Sequence, residues 1–467
     1  MNKLNFREKV MLSCLLTLIL FFISIFVRLG TKSILIEKLH LDNALTQIIF
    51  LDNVELSKAG VDSNQTSNVE TVPPPSQEID WATAYPFEET PPNMQVQSQE
   101  NSLWKQAEAF QAKILNFEAT KIGDWCTKNL IFYQQLVTAG RKIEHHLGWN
   151  VTNPTTLVYK MSDGYLTLLD SKQNQDERVS SVVSLAEYVE SQGSKFLFIL
   201  SPSKANPFGD RELKGVDYSN DNGDRLLQGL RERNVSVYDL RPDLHEYVGN
   251  TGWHQAFFRT DHHWTPATAM WAAGMVLKKL KDDYSVDVNN THSSIEDYNA
   301  VVYENYFLGS QGKRVTLVNT TPDDFTLYYP KFKTNIHIEI PKCGINDDGD
   351  FSIFYNMYEL GKGDFYKENP YAVYGYGDQP EIVVHNYENE NLQDKKILLI
   401  KDSFMDSAMP FLMMGLKDLR VLDLRLFKGS VKKYIKEHKP DIVLVMYIPF
   451  YAETINWNSH GDLFDFR

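Results

Sequence analysis

Three runs of almost uninterrupted apolar residues constrain this chain more than any other feature: KFLFIL at Lys195–Leu200, KILLI at Lys396–Ile400 and IVLVMY at Ile442–Tyr447. A strand exposed on one face alternates apolar with polar residues, whereas a continuous run fits a strand covered on both faces, as in a parallel sheet between helices. Val235–Leu240 (VSVYDL) and Val421–Leu424 (VLDL) read as further strands, and helix-period patterns at Val179–Gln192, Asn222–Arg233, Pro266–Leu280 and Val431–His438 lie among them. This alternation predicts an α/β sandwich with a mainly parallel central sheet. Residues 291–387 are aromatic and polar with short β-like runs, and read as an irregular β-rich insertion in the same domain.

The amino-terminal part has a different character. From Val10 to Val27 the chain carries no charge, close to the ~20 residues that span hydrocarbon. Lys3, Arg7 and Lys9 precede it, so the positive-inside tendency places residues 1–9 in the cytoplasm, a transmembrane signal anchor at 10–29, and the rest outside. The rival reading, a cleaved signal peptide, lacks a small-x-small site after the apolar run. Residues 30–104 form a juxtamembrane segment and linker. Its stretch from Glu55 to Ser102 is too rich in Ser, Thr, Gln, Asn, Glu and Pro to bury a core. A folded domain is expected over residues 105–467, beginning with helical spacing at Phe110, Ile114 and Leu115 and again from Leu130 to Leu147.

A net charge of −14 excludes a general nucleic-acid binder, which needs a basic face. Three cysteines, Cys14, Cys126 and Cys343, provide neither a disulfide framework nor a thiolate zinc cluster, and leave open one Cys126–Cys343 bridge.

In open α/β sheets, chemistry collects at the carboxyl ends of strands. Ser403, in Lys401-Asp402-Ser403-Phe404, follows KILLI and precedes a helix-like segment from Met405. There a hydroxyl meets helix N–H groups able to stabilise an oxyanion, although Asp402 or Ser403 acting only as a helix cap is the plainer alternative. A serine nucleophile needs a base and a carboxylate to orient that base. Thr260-Asp261-His262-His263-Trp264-Thr265-Pro266 offers both. Asp261 and His263 are two apart, so an extended loop points them to one side and His262 away. A metal held by His254, Asp261, His262 and His263 is the competing use, but adjacent histidines rarely converge on one ion and no His-x-x-x-His supports it. His145 and His146 read as surface residues.

Four blocks, Asp163-Gly164-Tyr165-Leu166, Pro202-Ser203-Lys204, Asp261-His262-His263-Trp264, and Asp402-Ser403-Phe404 with Asp423-Leu424-Arg425, resemble the DHHW family, related to the SGNH hydrolase-like domain of the alginate O-acetylation proteins AlgX and AlgJ. The resemblance spans residue 105 to the end and implies an SGNH-like three-layer sandwich with a triad of Ser403, His263 and Asp261, in a circularly permuted order. It implies O-acetylation of a cell-surface or secreted polysaccharide through acyl-Ser403, in exopolysaccharide biosynthesis. It also implies a membrane-bound O-acyltransferase partner as acetyl donor, and no cofactor. Lys204, Trp264, Arg425, Tyr374 and Gly377 are the candidate substrate-side residues, with Tyr374–Asp378 or Asn386 as candidates for the rest of the oxyanion hole. Trp253 and the aromatic residues of 303–306 offer sugar-stacking faces or core packing. A carbohydrate acetylesterase with the same triad, and a non-catalytic polysaccharide-binding or assembly protein, are the alternative readings.

Overall fold

The computed structural model describes residues 138, 139, 142, 158–292, 294–361, 363–449 and 463–467. The expected anchor Val10–Val27, the linker, Cys14, Cys126, His145, His146 and the domain start at residue 105 lie outside the described residues. Among the described residues, no helix is long and apolar enough to cross a membrane. The chain divides into two units, Met1–Leu157 with Arg314–Thr320, and Val158–Lys313 with Thr321–Arg467. In the first, the Asn319 N–H donates to the Thr316 carbonyl at 3.0 Å and closes a turn. The second unit carries the sheet and the histidine loop.

Its elements run β1 (Val158–Lys160), β2 (Leu166–Leu168), α1 (Asp176–Ser191), β3 (Lys195–Leu200), α2 (Ser219–Arg231), β4 (Val237–Asp239), α3 (Arg241–Gly252), α4 (Pro266–Tyr284), β5 (Tyr298–Phe307) and β6 (Asp323–Pro330). They continue with β7 (Ile336–Ile340), β8 (Ile345–Gly349), β9 (Glu381–Asn386), β10 (Lys396–Lys401), α5 (Phe404–Met414), β11 (Asp418–Leu422), α6 (Val431–His438) and β12 (Ile442–Tyr447). An eight-stranded sheet has the order β4-β3-β12-β10-β11-β9-β7-β8. The continuous apolar runs become its centre: β3, β12 and β10 are parallel neighbours, and after their first residue β3 and β10 are buried throughout. Helix α1 packs on β3, α2 and α6, while α4 packs on α5. Every residue of α5 is buried, as suits a helix apolar on all sides.

Two expectations are corrected. The sheet is mixed: parallel pairing holds from β4 to β11, but β11–β9, β9–β7 and β7–β8 are antiparallel. The region read as an irregular insertion supplies that antiparallel half. In β7, Ile336, Ile338 and Ile340 are buried between the partly exposed His337 and Glu339, the period-2 pattern of a strand covered on one face. Among the described strands of that region, the β5–β6 ribbon alone stands outside the sheet.

The parallel half positions the site. Chain leaving the carboxyl ends of β3, β10, β11 and β12 carries Lys204, Asp402–Ser403, Asp423–Arg425 and Ile448 respectively.

Candidate active site

Ser403 sits between β10 and α5 with helical backbone angles, φ −62° and ψ −19°. It is Asp402, not Ser403, that caps the helix. One Asp402 carboxylate oxygen accepts the Phe404 N–H at 2.9 Å, and the other accepts the Ile448 N–H at 2.8 Å beyond β12. Burial pushes the Asp402 carboxyl up to about 7 against those hydrogen bonds and the charges of Arg425 and Lys401. The Ser403 hydroxyl is thereby left for other work. Its own N–H takes part in no hydrogen bond among the described residues.

The histidine loop is a narrow excursion closed at its base. Phe257 and Trp264 bridge antiparallel, the Phe258 N–H donates to the His263 carbonyl at 3.1 Å, and the Thr265 N–H donates to the Ala256 carbonyl at 2.9 Å. Thr265 then caps α4 by accepting from the Thr268 N–H at 3.3 Å, with Pro266 in the first helical position.

Within the loop, His263 Nδ1 lies 2.5 Å from Asp261 Oδ1, and His263 Nε2 lies 2.8 Å from Ser403 Oγ. With Nδ1–H donating to the carboxylate, Nε2 is the acceptor for the serine proton. Asp261 Oδ1 also accepts the His263 backbone N–H at 3.1 Å, and Oδ2 accepts the Ser310 N–H at 2.6 Å. Burial would raise the Asp261 carboxyl, but His262, His263 and these hydrogen bonds hold it well below the usual range. All three side chains are buried, with Ser403 at 4 % exposure.

His262 does not point away as the extended-loop reading had it. Its ring centroid lies 3.8 Å from that of His263, and its Nδ1 is 3.4 Å from Asp261 Oδ1 and 3.2 Å from Ser310 Oγ. Asp261, His262 and His263 therefore offer ligand atoms within 4.8 Å of one another. Both nitrogens of His263 already face hydrogen-bond partners in this arrangement, so the geometry suits proton transfer better than ligation.

Several residues expected on the substrate side lie inside. Trp264 is fully buried, and its Nε1–H reaches the Phe404 carbonyl at 2.9 Å and Ser407 Oγ at 3.1 Å, fastening the histidine loop to α5. Lys204 is 2 % exposed, its ammonium turned onto carbonyl oxygens of the same loop. Tyr374 is buried with its hydroxyl on the Thr326 carbonyl at 3.0 Å. Gly377, at φ +65°, spends its N–H on the Tyr374 carbonyl at 3.0 Å in a tight turn. Asn386 donates to the Met413 carbonyl, so the side-chain amide of Asn386 and the Gly377 N–H are both engaged within the protein. Arg425 pairs with Asp378 at 2.6 Å and Asp423 at 2.5 Å. Trp253 is buried too, with its Nε1–H 3.1 Å from the Ser203 and Lys204 carbonyls; Tyr303 and Tyr306 are half-buried on β5.

Beside Arg425, Lys401 contacts Asp406 and lies 3.3 Å from Asp423 and 3.4 Å from Asp378. Two cations thus face three buried carboxyls. Burial, with Asp378 and Asp423 as neighbours, pushes Asp406 well above the usual range despite Lys401.

Residues without a motif complete the site. Tyr371 stacks on His263 at 3.8 Å with planes 13° apart, and its hydroxyl lies 3.1 Å from the Ser403 and Phe404 carbonyls and 2.9 Å from Ser407 Oγ. Asp323 takes the N–H groups of Arg259 and Thr260, each at 2.8 Å. Gly309 passes so close to Asp261 that a Cβ on it would stand 2.3 Å from the Asp261 Cβ. No pattern in the sequence marks these three, because each acts on a residue 32 or more positions away or through the lack of a side chain.

Residues 161–301 match the family described as SGNH hydrolase-like domain, acetyltransferase AlgX. The matched segment holds the Asp163, Lys204 and Asp261–Trp264 blocks, and Ser403 lies beyond it. No functionally curated protein matches the chain. Among solved structures, Bacillus cereus PatB1 with a sulfonyl adduct is 22 % identical over 66 % of this chain and 99 % of that one, with a TM-score of 0.52. A DHHW family protein from Eubacterium siraeum is 19 % identical over 64 % and 92 % (TM-score 0.47). The O-acetyltransferase domain of Pseudomonas putida AlgJ is 13 % identical over 64 % and 93 % (TM-score 0.40). The likeness to PatB1 is one of fold, and the family matched over residues 161–301 is among those that the four sequence blocks resemble.

Proposed function

We propose that this protein is a serine-dependent O-acyltransferase that acetylates a cell-surface or secreted polysaccharide through an acyl-Ser403 intermediate. The observation that carries the reading is the continuous chain from Asp261 to His263 to Ser403, at 2.5 and 2.8 Å. A protein that only bound glycan would have no use for a buried serine aligned on a histidine whose far nitrogen is held by a carboxylate.

In the first half-reaction His263 Nε2 takes the Ser403 proton as Oγ attacks the acyl carbonyl, and the Ser403 N–H is the donor available for the developing oxyanion. His263 then gives its proton to the leaving group, and the ester on Ser403 remains. In the second, a sugar hydroxyl yields its proton to His263 and attacks that ester. The product is an O-acetyl sugar, with Ser403 regenerated. Asp261, held ionised by its neighbours, stabilises the imidazolium in both halves. Were water to replace the sugar hydroxyl, the same triad would act as an esterase, the choice resting on the acceptor.

The reading extends to the cell. The apolar segment Val10–Val27 anchors the protein with its catalytic domain outside the cytoplasm. Since acetyl donors are made inside, a membrane-bound O-acyltransferase is the partner that would deliver the acyl group.

The test uses full-length protein, wild type and Ser403→Ala, with a chromogenic acetyl ester, with and without an oligosaccharide acceptor. Acetate and acetylated sugar are read separately. Acetylated sugar formed by wild type only supports the transferase, and acetate alone supports the esterase. Equal signals from both proteins would remove Ser403 from the chemistry.

A further inference from the structure

Lys204 and Lys401 are both buried lysines at the ends of parallel strands, but their surroundings differ in kind. Lys401 lies among three carboxyls. Lys204 has no carboxylate ion pair among the described residues. Its ammonium faces four neutral oxygens: the Leu166 carbonyl at 2.5 Å, Gln311 Oε1 at 3.1 Å, the Arg259 carbonyl at 3.3 Å and, closest, the Asp261 carbonyl. An ammonium is costly to bury, and uncharged dipoles offset that cost less well than a carboxylate. The cage thus resembles a monovalent-cation site whose ion is tethered to β3. Its oxygens come from β2, from the histidine loop and from Gln311; β2 also meets the loop through the Leu166 N–H on the Arg259 carbonyl, and the Gln311 segment meets it through the Gly312 N–H on the Thr260 carbonyl and the Ser310 N–H on Asp261. Trp253 holds the Lys204 main chain from behind.

We propose that the Lys204 ammonium is a positioning group of the catalytic site, an internal cation whose N–H donors fix the main chain at Asp261 and so set where the acid meets His263. The role rests on the triad reading above. It needs the charged form, because a neutral amine has two N–H groups and turns a lone pair toward an oxygen. Burial pushes the Lys204 ammonium down to about 7, while Asp323, Asp261 and Asp163, the charged groups that face it, pull the other way. The ring of Tyr165 lies 5.9 Å away.

The experiment compares Ser403 modification by a fluorophosphonate probe in full-length wild type, Lys204→Ala and Gln311→Glu. It also follows the downfield proton resonance of the His263 Nδ1–H, assigned by its absence in His263→Ala. Lys204→Ala should be labelled on the order of 10- to 100-fold more slowly, the effect of displacing a catalytic group by up to about 1 Å, and should lose that resonance. n-Propylammonium, which replaces the deleted atoms, should restore both in a saturable way. Tetramethylammonium, with the charge and no N–H, should restore neither.

Gln311→Glu is close to isosteric and puts a carboxylate where Gln311 Oε1 now stands, 3.1 Å from the ammonium. It should move the alkaline limb of the labelling rate upward by about one pH unit, as an adjacent opposite charge does. An unchanged limb overturns the proposal, as does wild-type labelling with an intact resonance in folded Lys204→Ala. Absence of labelling in wild type would instead refute Ser403 as nucleophile, and the resonance would still decide the role of Lys204.

Discussion

Replacing Gly309 by alanine tests whether the placement of Asp261 limits the chemistry. The added Cβ would stand 2.3 Å from the Asp261 Cβ, 2.6 Å from Oδ2 and 2.7 Å from Cα, where ordinary contact starts near 3.4 Å. About 1.1 Å of relative movement is therefore needed, and part of the obstacle is main chain that cannot swing aside. The Asp261 carboxylate is held by the Ser310 N–H at 2.6 Å, next to the substituted residue, so the same movement stretches that bond. A misplacement of roughly 1 Å costs about 100-fold in rate, and overpacking costs ~1–3 kcal/mol of stability. Gly309→Ala should thus lose about two decades in the rate of Ser403 acylation and remain folded. Gly274, inside α4, has open space where its Cβ would be, so Gly274→Ala should gain about 0.5–1 kcal/mol with an unchanged rate. Acylation kinetics and denaturant unfolding on both variants make the comparison. A Gly309→Ala protein that acylates at the wild-type rate would refute the claim that the loop at Gly309 sets the position of the acid.

Other consequences follow from the same contacts. Tyr371→Phe keeps the stack on His263 but removes the hydroxyl among the Ser403 and Phe404 carbonyls and Ser407; it should cost ~1–2 kcal/mol by urea titration and slow acylation, and Tyr371→Leu, which loses the stack as well, should slow it further. Lys401→Met strands carboxylates in the interior and should cost about 3–5 kcal/mol, while Asp406→Asn, replacing a carboxyl whose charged form burial disfavours, should cost under about 2 kcal/mol on the same assay. His254 lies between Asp163 and Asp210; burial would lower its pKa, but those two carboxylates raise it. A raised histidine gives stability that is full below its unfolded value of about 6.5 and lost as pH rises through the folded value. The stability difference between wild type and His254→Gln should therefore shrink from pH 6 toward pH 9, and a constant difference by thermal melts would contradict the clamp.

What the sequence made legible, and what it hid, follows from the range of the interactions involved. β3 and β12 begin and end where their apolar runs do, and α6 spans Val431–His438 as read, because burial on two faces and helical period are local signals. β11 spans Asp418–Leu422 and not Val421–Leu424, since Asp418 and Arg420 interrupt the apolar run that the reading relied on. The antiparallel half of the sheet was hidden for the same reason: a one-sided strand of five residues leaves only two or three apolar positions. At the site, the order Asp261, His263, Ser403 was readable from spacing and resemblance. The fates of Lys204, Trp264 and Arg425 were not. Each carries a group that suits substrate and protein equally, and only the partners in space decide between them.

Those partners show how Asp261, His263 and Ser403 are brought together. The Asp261–His263 half is held by Lys204, Asp323 and the Gly309–Ser310 turn; the Ser403 half is held by the two hydrogen bonds that Asp402 accepts. Apart from the 2.8 Å contact of His263 with Ser403, Trp264 and Tyr371 join the halves, both through the carbonyl of Phe404 and the hydroxyl of Ser407. Neither joining side chain is exposed, so their bonds compete little with water and their geometry is set by packing. Weakening one half should therefore misalign the triad at constant fold, whereas weakening Trp264 or Tyr371 should cost alignment and stability together.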